Sequence, residues 1–184
     1  MNLLRVLPLL ILILVVFGGC AAAPADPLAY QSEAARLTLT GQIGEMEFAA
    51  DLTLDAVAEG EQIDGRGFTL AYTAPASLCG LTFTRRGGET ILTRGAITLA
   101  DPDGRWDHMI VPAALFCIDC DLGRATVVRQ NGATLNRIEV ADDEGSYVLW
   151  LDETGFPRRI EGTVGDRTVI ADILRLPSED GQPS

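Results

Sequence analysis

The stretch RLTLTGQIGEMEFAADLTLD, residues 36–55, is written in period two. Leu37, Leu39, Gly41 and Ile43 alternate with Arg36, Thr38, Thr40 and Gln42. After Gly44–Glu45 the alternation resumes through Met46, Phe48, Ala50, Leu52 and Leu54. A two-residue Gly-X turn pairs Ile43 with Met46, so both strands show their apolar residues on the same face. That is a hairpin with one face made for water and one made for a core.

The same rhythm continues downstream. GFTLAYT places Phe68, Leu70 and Tyr72 on one face, GLTFT adds Leu81 and Phe83, and RRGG makes the next turn. TILTRGAITLA follows, with Gly95 expected as a bend or bulge. ATVVRQ and ATLNRIEV flank Asn131–Gly132, a strong hairpin signal. Their alternation slips between Leu135 and Ile138, which predicts a bulge there. SYVLWLD, RRIEGTV and RTVIADILRL complete the set, the last two joined at Gly165–Asp166. One segment breaks the pattern. In VPAALFCIDCDLG, Val111, Ala114, Leu115, Ile118 and Leu122 recur at helical spacing, with Pro112 near a helix start and Gly123 at C′. Ala113 and Phe116 widen its apolar surface, so this helix is expected to be covered. SEAAR, residues 32–36, reads as the end of a short helix. The expectation is a mainly β (α+β) domain of nine or ten antiparallel strands with one interior helix.

The chain begins with an uncharged greasy run, VLPLLILILVVF at 6–17, preceded by Arg5 and followed by small residues. This is the layout of an export signal. Its strongly apolar part would make about 18 Å of helix against a hydrocarbon core of roughly 30 Å. Gly18 and Gly19 then weaken the helix where a membrane span would have to continue. Phe17-Gly18-Gly19-Cys20 resembles the lipobox of bacterial lipoproteins, with Phe17 standing where an aliphatic residue is usual. The resemblance implies cleavage before Cys20 and a diacylglyceryl group on its sulfur. Two acyl chains anchor a protein stably where one does not. The chain then divides into a signal peptide (1–19), a lipidated N-terminus and flexible tether (20–32), a β domain (33–176) and a disordered tail (177–184). Removing the signal leaves a formal charge of −13, since Arg5 leaves with it. Such an acidic surface favours neither nucleic acid nor anionic headgroups. All fourteen basic residues are arginine, which excludes a lysine nucleophile.

No catalytic signature emerges. Cys117 and Cys120 have redox-motif spacing, but they fall late in the expected helix and in antiparallel surroundings. Buried thiols, a local disulfide and a redox or metal role stay open for them, and Cys79 reads as a core residue or their partner. Cys79, Cys117, Cys120 and His108 suffice in number for zinc but lack its spacing. His108, the only histidine, lies in a polar turn, and no serine sits in a G-x-S-x-G elbow. Asp101 with Asp103, and Asp142, Asp143 and Glu144, read as turn residues. Carboxylates clustered in a cleft would support a hydrolase as a minor alternative. No cofactor and no metal are expected.

The lipobox, the run of strands, the helix after GRWDHMIVP and the ending YVLWLDETGFPRRIE together resemble the LolA/LolB-like lipoproteins, and more closely their divergent members in bacteria without an outer membrane. In that ending Tyr147, Leu149 and Leu151 share a face, followed by Asp152, Gly155, Pro157 and Ile160. The resemblance implies one curved antiparallel sheet, a half-barrel around an apolar cavity that receives acyl chains. By face, the lining or core residues are Leu37, Leu39, Phe48, Leu52, Leu54, Phe68, Leu70, Tyr72, Phe83, Leu149 and Leu151, with Leu115 and Phe116 from the helix. The implied protein is non-catalytic and lipid-anchored on the extracytoplasmic face of the cell membrane. It binds a lipid, or alternatively acts through an envelope protein partner. The anchor is directly testable. Wild type is expected to incorporate labelled palmitate and to run at the processed size, and Cys20→Ala to do neither. Equal size and absence of label in both would overturn the lipobox reading.

Overall fold

In the computed structural model, residues 29–58, 60, 62–101, 103–117, 122–130, 132–141, 145–164 and 167–177 are described. The opening hairpin forms as its pattern demands. β1 (Ala35–Ile43) pairs with β2 (Met46–Leu54), Ile43 stands opposite Met46, and Gly44 takes φ 60° in the turn. Leu37, Leu39, Ile43, Phe48, Ala50, Leu52 and Leu54 are buried, while most residues between them face solvent.

Nine further strands follow: β3 (Phe68–Ala74), β4 (Leu81–Arg86), β5 (Glu89–Arg94), β6 (Ile97–Asp101), β7 (Leu122–Gln130), β8 (Ala133–Ala141), β9 (Gly145–Leu151), β10 (Pro157–Val164) and β11 (Arg167–Arg175). All pair antiparallel in one open sheet, ordered β6-β5-β4-β3-β2-β1-β11-β10-β9-β8-β7. Two meanders, β1–β6 and β7–β11, are thus joined only where the first strand pairs with the last. The helix, Asp107–Ala114, lies between the meanders in sequence and packs against β3 and β11.

Several details differ from the pattern-based expectation. The helix starts at Asp107 and ends at Ala114, so Pro112 lies inside it, and Gly123 belongs to β7. The early start has a physical cause. Asp101 accepts the N–H groups of Arg105 and Trp106 at 3.0 and 2.7 Å, which satisfies donors in the turn leading into the helix. Gly95 (φ 59°), expected as a bend or bulge within one strand, makes a two-residue hairpin turn between β5 and β6, which raises the strand number among the described residues to eleven. β7 and β8 pair without a slip from Ala125↔Ile138 to Gln130↔Ala133. The irregularity lies at Leu122/Ala125, and Leu135 simply faces outward. Ala35 opens β1 rather than closing a helix, and a 3-10 turn at Ala29–Gln31 precedes it. Tyr30 and Gln31, in the stretch read as tether, are buried. Cys79 is an exposed free cysteine, not a core residue. Phe17 to Cys20, Cys120, Asn131, Asp142 to Glu144, Gly165–Asp166 and the tail beyond Pro177 lie outside the described residues.

The β9–β10 turn is held by its own acid. Asp152 Oδ1 accepts the N–H of Thr154 (2.9 Å) and of Phe156 (3.1 Å) and the hydroxyl of Thr154 (2.6 Å). Partial burial pushes this carboxyl up, but these hydrogen bonds and Arg158 outweigh it and hold the pKa below the ordinary value.

At the seam between the meanders, the backbones of Gly41 and Ala171 stand opposite each other. A Cβ on Gly41 would lie 1.8 Å from the Ile170 carbonyl oxygen, far inside contact distance. Gly41→Ala is therefore expected to cost about 1–3 kcal/mol by forcing these strands apart. Thr53→Ala, at an exposed position on the adjacent strand β2, should stay within about 0.5 kcal/mol. Thermal and urea unfolding of the two variants measure both. A Gly41→Ala protein as stable as wild type would show that the seam tolerates a side chain.

Candidate functional site

Strand register sorts every side chain onto one of two faces, because partners across an antiparallel ladder point the same way. The inner face carries the core. All thirteen sequence-predicted lining residues lie on it or on the helical segment over it, and all are buried: Leu37, Leu39, Phe48, Leu52, Leu54, Phe68, Leu70, Tyr72, Phe83, Leu149, Leu151, Leu115 and Phe116. Ile138, Val140 and Ile110 join the same cluster, as do Tyr147, Ile160 and Val111, which the pattern singles out without placing them in the lining set. The alternation in SYVLWL and ATLNRIEV carries that signal once the register is known.

Among the described residues the cover on this face is the helix and the chain that follows it. Eight helical residues are about 12 Å long, while eleven strands laid flat would span about 48 Å. So wide a face stays dry only if the sheet curls around its cover. Edge-to-face aromatic contacts line the fold: Phe48–Tyr72, Tyr72–Phe83 and Phe83–Trp106, with ring centroids 6.1–6.3 Å apart. At the other end of the helix Tyr30 meets both Phe116 and Phe156. The buried Tyr72 hydroxyl donates to the Met109 carbonyl at 2.6 Å, and burial pushes its pKa far up.

The apolar inner face does not stop where the cover does. One cross-strand row runs Leu37, Leu52, Leu70, Phe83, Leu92, Leu99. The first four are buried, Leu92 is half-buried, and Leu99 is 49% exposed. Beside it Ile97 is 63% exposed. At the opposite free edge Val127, paired with Asn136 on the inner face, is 71% exposed. These marginal residues were not singled out from sequence, although the alternation in ITLAD contains them.

Charge also divides by face. Apart from the residues in the β7 and β10 bulges, the inner positions of the strands carry Arg85, Arg94, Arg129, Arg167 and Arg175 and a single acid, Asp101. The outer positions carry Glu47, Asp51, Glu89, Glu139, Glu161 and Asp172 against Arg36, Arg86, Arg137 and Arg159. Asp101 is committed to backbone N–H groups. Desolvation raises its pKa, and the hydrogen bonds from Trp106, Arg105 and Asp103 bring it below the ordinary value. Two shallow depressions among the described residues, of about 370 and 430 Å³, include the ion pairs Arg158–Asp152 and Arg159–Asp172, both at 2.9 Å, in their walls. No group of three or more His, Cys, Asp or Glu that could hold a metal occurs among the described residues. His108 is exposed on the helix. Cys117 is half-buried just after it, with Sγ 3.9 Å from the Ala113 carbonyl.

Arg66 closes one end of the fold. It is 2% exposed, and its guanidinium donates to the carbonyls of Asp55 (2.8 Å), Phe116 (3.3 Å) and Glu33. Three separate segments, the end of β2, the chain after the helix and the lead into β1, are thereby tied to one cation. Burial lowers its pKa, opposed by the charges of nearby groups including Asp55 and Glu33. Only the guanidinium fork reaches three carbonyls at once.

No family model matches the chain, and no curated protein does. Solved structures do. An uncharacterised conserved protein of Thermus thermophilus is 16% identical over 85% of this chain and 93% of that one, with a TM-score of 0.53. A LolA superfamily protein of Nitrosomonas europaea is 10% identical over 85% and 95% of the two chains, with a TM-score of 0.39. Mycobacterium tuberculosis lipoprotein LppX is 10% identical over 85% and 99%, with a TM-score of 0.44. The Thermus likeness establishes the fold, and the structural neighbours include LolA superfamily proteins and lipoproteins.

Arg66→Met should remove the tie and leave three carbonyls short of a donor, at a cost of about 2–4 kcal/mol. Arg66→Lys should recover only part of it. Urea midpoints of the three proteins test this, and a wild-type midpoint for Arg66→Met would show that the carbonyls find water instead.

Proposed function

We propose that the protein is a non-catalytic lipoprotein, anchored through Cys20 to the extracytoplasmic face of the cell membrane, that binds an acyl chain against the inner face of its sheet. The observation that carries the reading is the row ending at Leu92 and Leu99. A core that merely fills itself closes at its edges, whereas this apolar surface runs from complete burial into solvent on the same face. Contiguous exposed apolar surface of this kind is normally covered by something in use. The tether, residues 20 to about 28, would keep the domain within a few nanometres of the bilayer that supplies its ligand.

A second reading draws on the free edge of β6. Among the described residues its backbone has no partner on one side, and Ile97 and Leu99 project from it, so a strand of an envelope protein could add there. The two readings separate experimentally. Native mass spectrometry of the domain purified from residue 29 onward is expected to show a bound lipid, and a fluorescent fatty acid is expected to bind and be displaced by palmitate. Neither co-purified lipid nor fatty-acid binding would remove the first reading and leave the second.

A further inference from the structure

The geometry points to a headgroup site on the β4–β6 wing, where Arg85 and Arg94, reaching in from opposite sides of the Phe83–Leu92–Leu99 row, receive the anionic end, carboxylate or phosphate, of a single-chain amphiphile whose tail lies along Leu92 and Leu99. This rests on the lipid-binding reading and specifies its ligand class.

The sign of the charge is the first ground. The chain as a whole is at −12, so an anion approaching at random is repelled. The inner face inverts that sign. On the β4–β6 wing its charged strand positions are Arg85, Arg94 and Asp101, and Asp101 is already occupied by the N–H groups of Arg105 and Trp106. Asp101 lies two strands from Arg85 in the same row, and neither arginine makes an ion pair among the described residues.

Placement is the second ground. Arg94 stands between Leu81 and Ile97 in one cross-strand row, next to the row of Phe83, Leu92 and Leu99. Arg85 is half-buried between Phe68 and Thr90, and its Nε is shielded from water with no acceptor. A shielded donor without an acceptor is costly, and an incoming oxyanion would relieve it. Guanidinium groups hold carboxylate and phosphate by paired, charge-assisted hydrogen bonds, and their stems lie well along apolar surface. A flat bilayer surface reaches only the exposed Arg94, whereas an amphiphile entering the face can bring its headgroup to Arg85 as well.

The test uses the full-length protein in neutral phosphatidylcholine vesicles with photoactivatable palmitic acid, a lysophosphatidate analogue and the matched palmityl alcohol, compared at equal vesicle-bound amounts. Either acid is expected to label β4–β6 peptides about ten-fold above the alcohol, the worth of roughly one charge-assisted hydrogen bond. The two acids separate carboxylate from phosphate. Arg94→Gln should reduce that preference to about two- to three-fold, leaving only the Arg85 contribution. Arg86→Gln makes the same change of charge one residue away on the outer face and should leave it intact. If the alcohol labels as well as the acids, or the two variants behave alike, the headgroup site is wrong while lipid binding stands. If no probe labels the inner face, the lipid reading itself falls.

Discussion

The structure depends on one pairing, β1 with β11. Every other ladder joins strands adjacent in sequence, so each meander could form by local hairpins alone. Only the seam brings residues about 130 apart in the chain into one sheet, with Leu39 opposite Ile173 and Ile43 opposite Val169. Without it there would be two half-sheets, each with an uncovered apolar face. The backbones approach there so closely that Gly41 has no room for a methyl group. The seam places apolar residues of both meanders around one helix, and so creates a single inner face.

That face is closed unevenly. At one end Arg66 gathers three backbone segments, and Tyr30, Phe116 and Phe156 pack beside it. At the free edges the same face ends in Leu99, Ile97 and Val127, open to water. A sealed end and open lips give the apolar surface a direction, from a dry interior to accessible margins. Such an arrangement suits a molecule that is half apolar and half polar better than a partner that must be engulfed. On the proposed reading, arginines on the inner face would supply the polar half of that match in a chain whose overall charge is strongly negative.

Much of this was legible in the residues. Period two in 36–55 determined the hairpin, its register through the Gly44 turn and the buried identity of Leu37, Leu39, Phe48, Leu52 and Leu54. The alternation in GFTLAYT and YVLWL did the same for Phe68, Leu70, Tyr72, Leu149 and Leu151. Where reading fails, a tertiary contact outvotes a local pattern. Helical spacing alone puts the helix too late, because its start is supported by Asp101, four residues before Arg105. Leu135 reads as a slip because an apolar residue on the outer face looks like a register change when only the sequence is known.

By itself the sequence determined the strands, the faces, the strongly acidic charge and the resemblance of Phe17 to Cys20 to a lipidation motif, since each is a property of neighbouring residues. Only the tertiary structure decided that β1 closes against β11, that Arg66 is the buried tie, and that Arg85 of β4 and Leu99 of β6 share a face with Leu92 and Arg94 of β5. Those facts depend on which strands lie side by side, and side-by-side order is set by burial summed over the whole sheet, which no local spacing records.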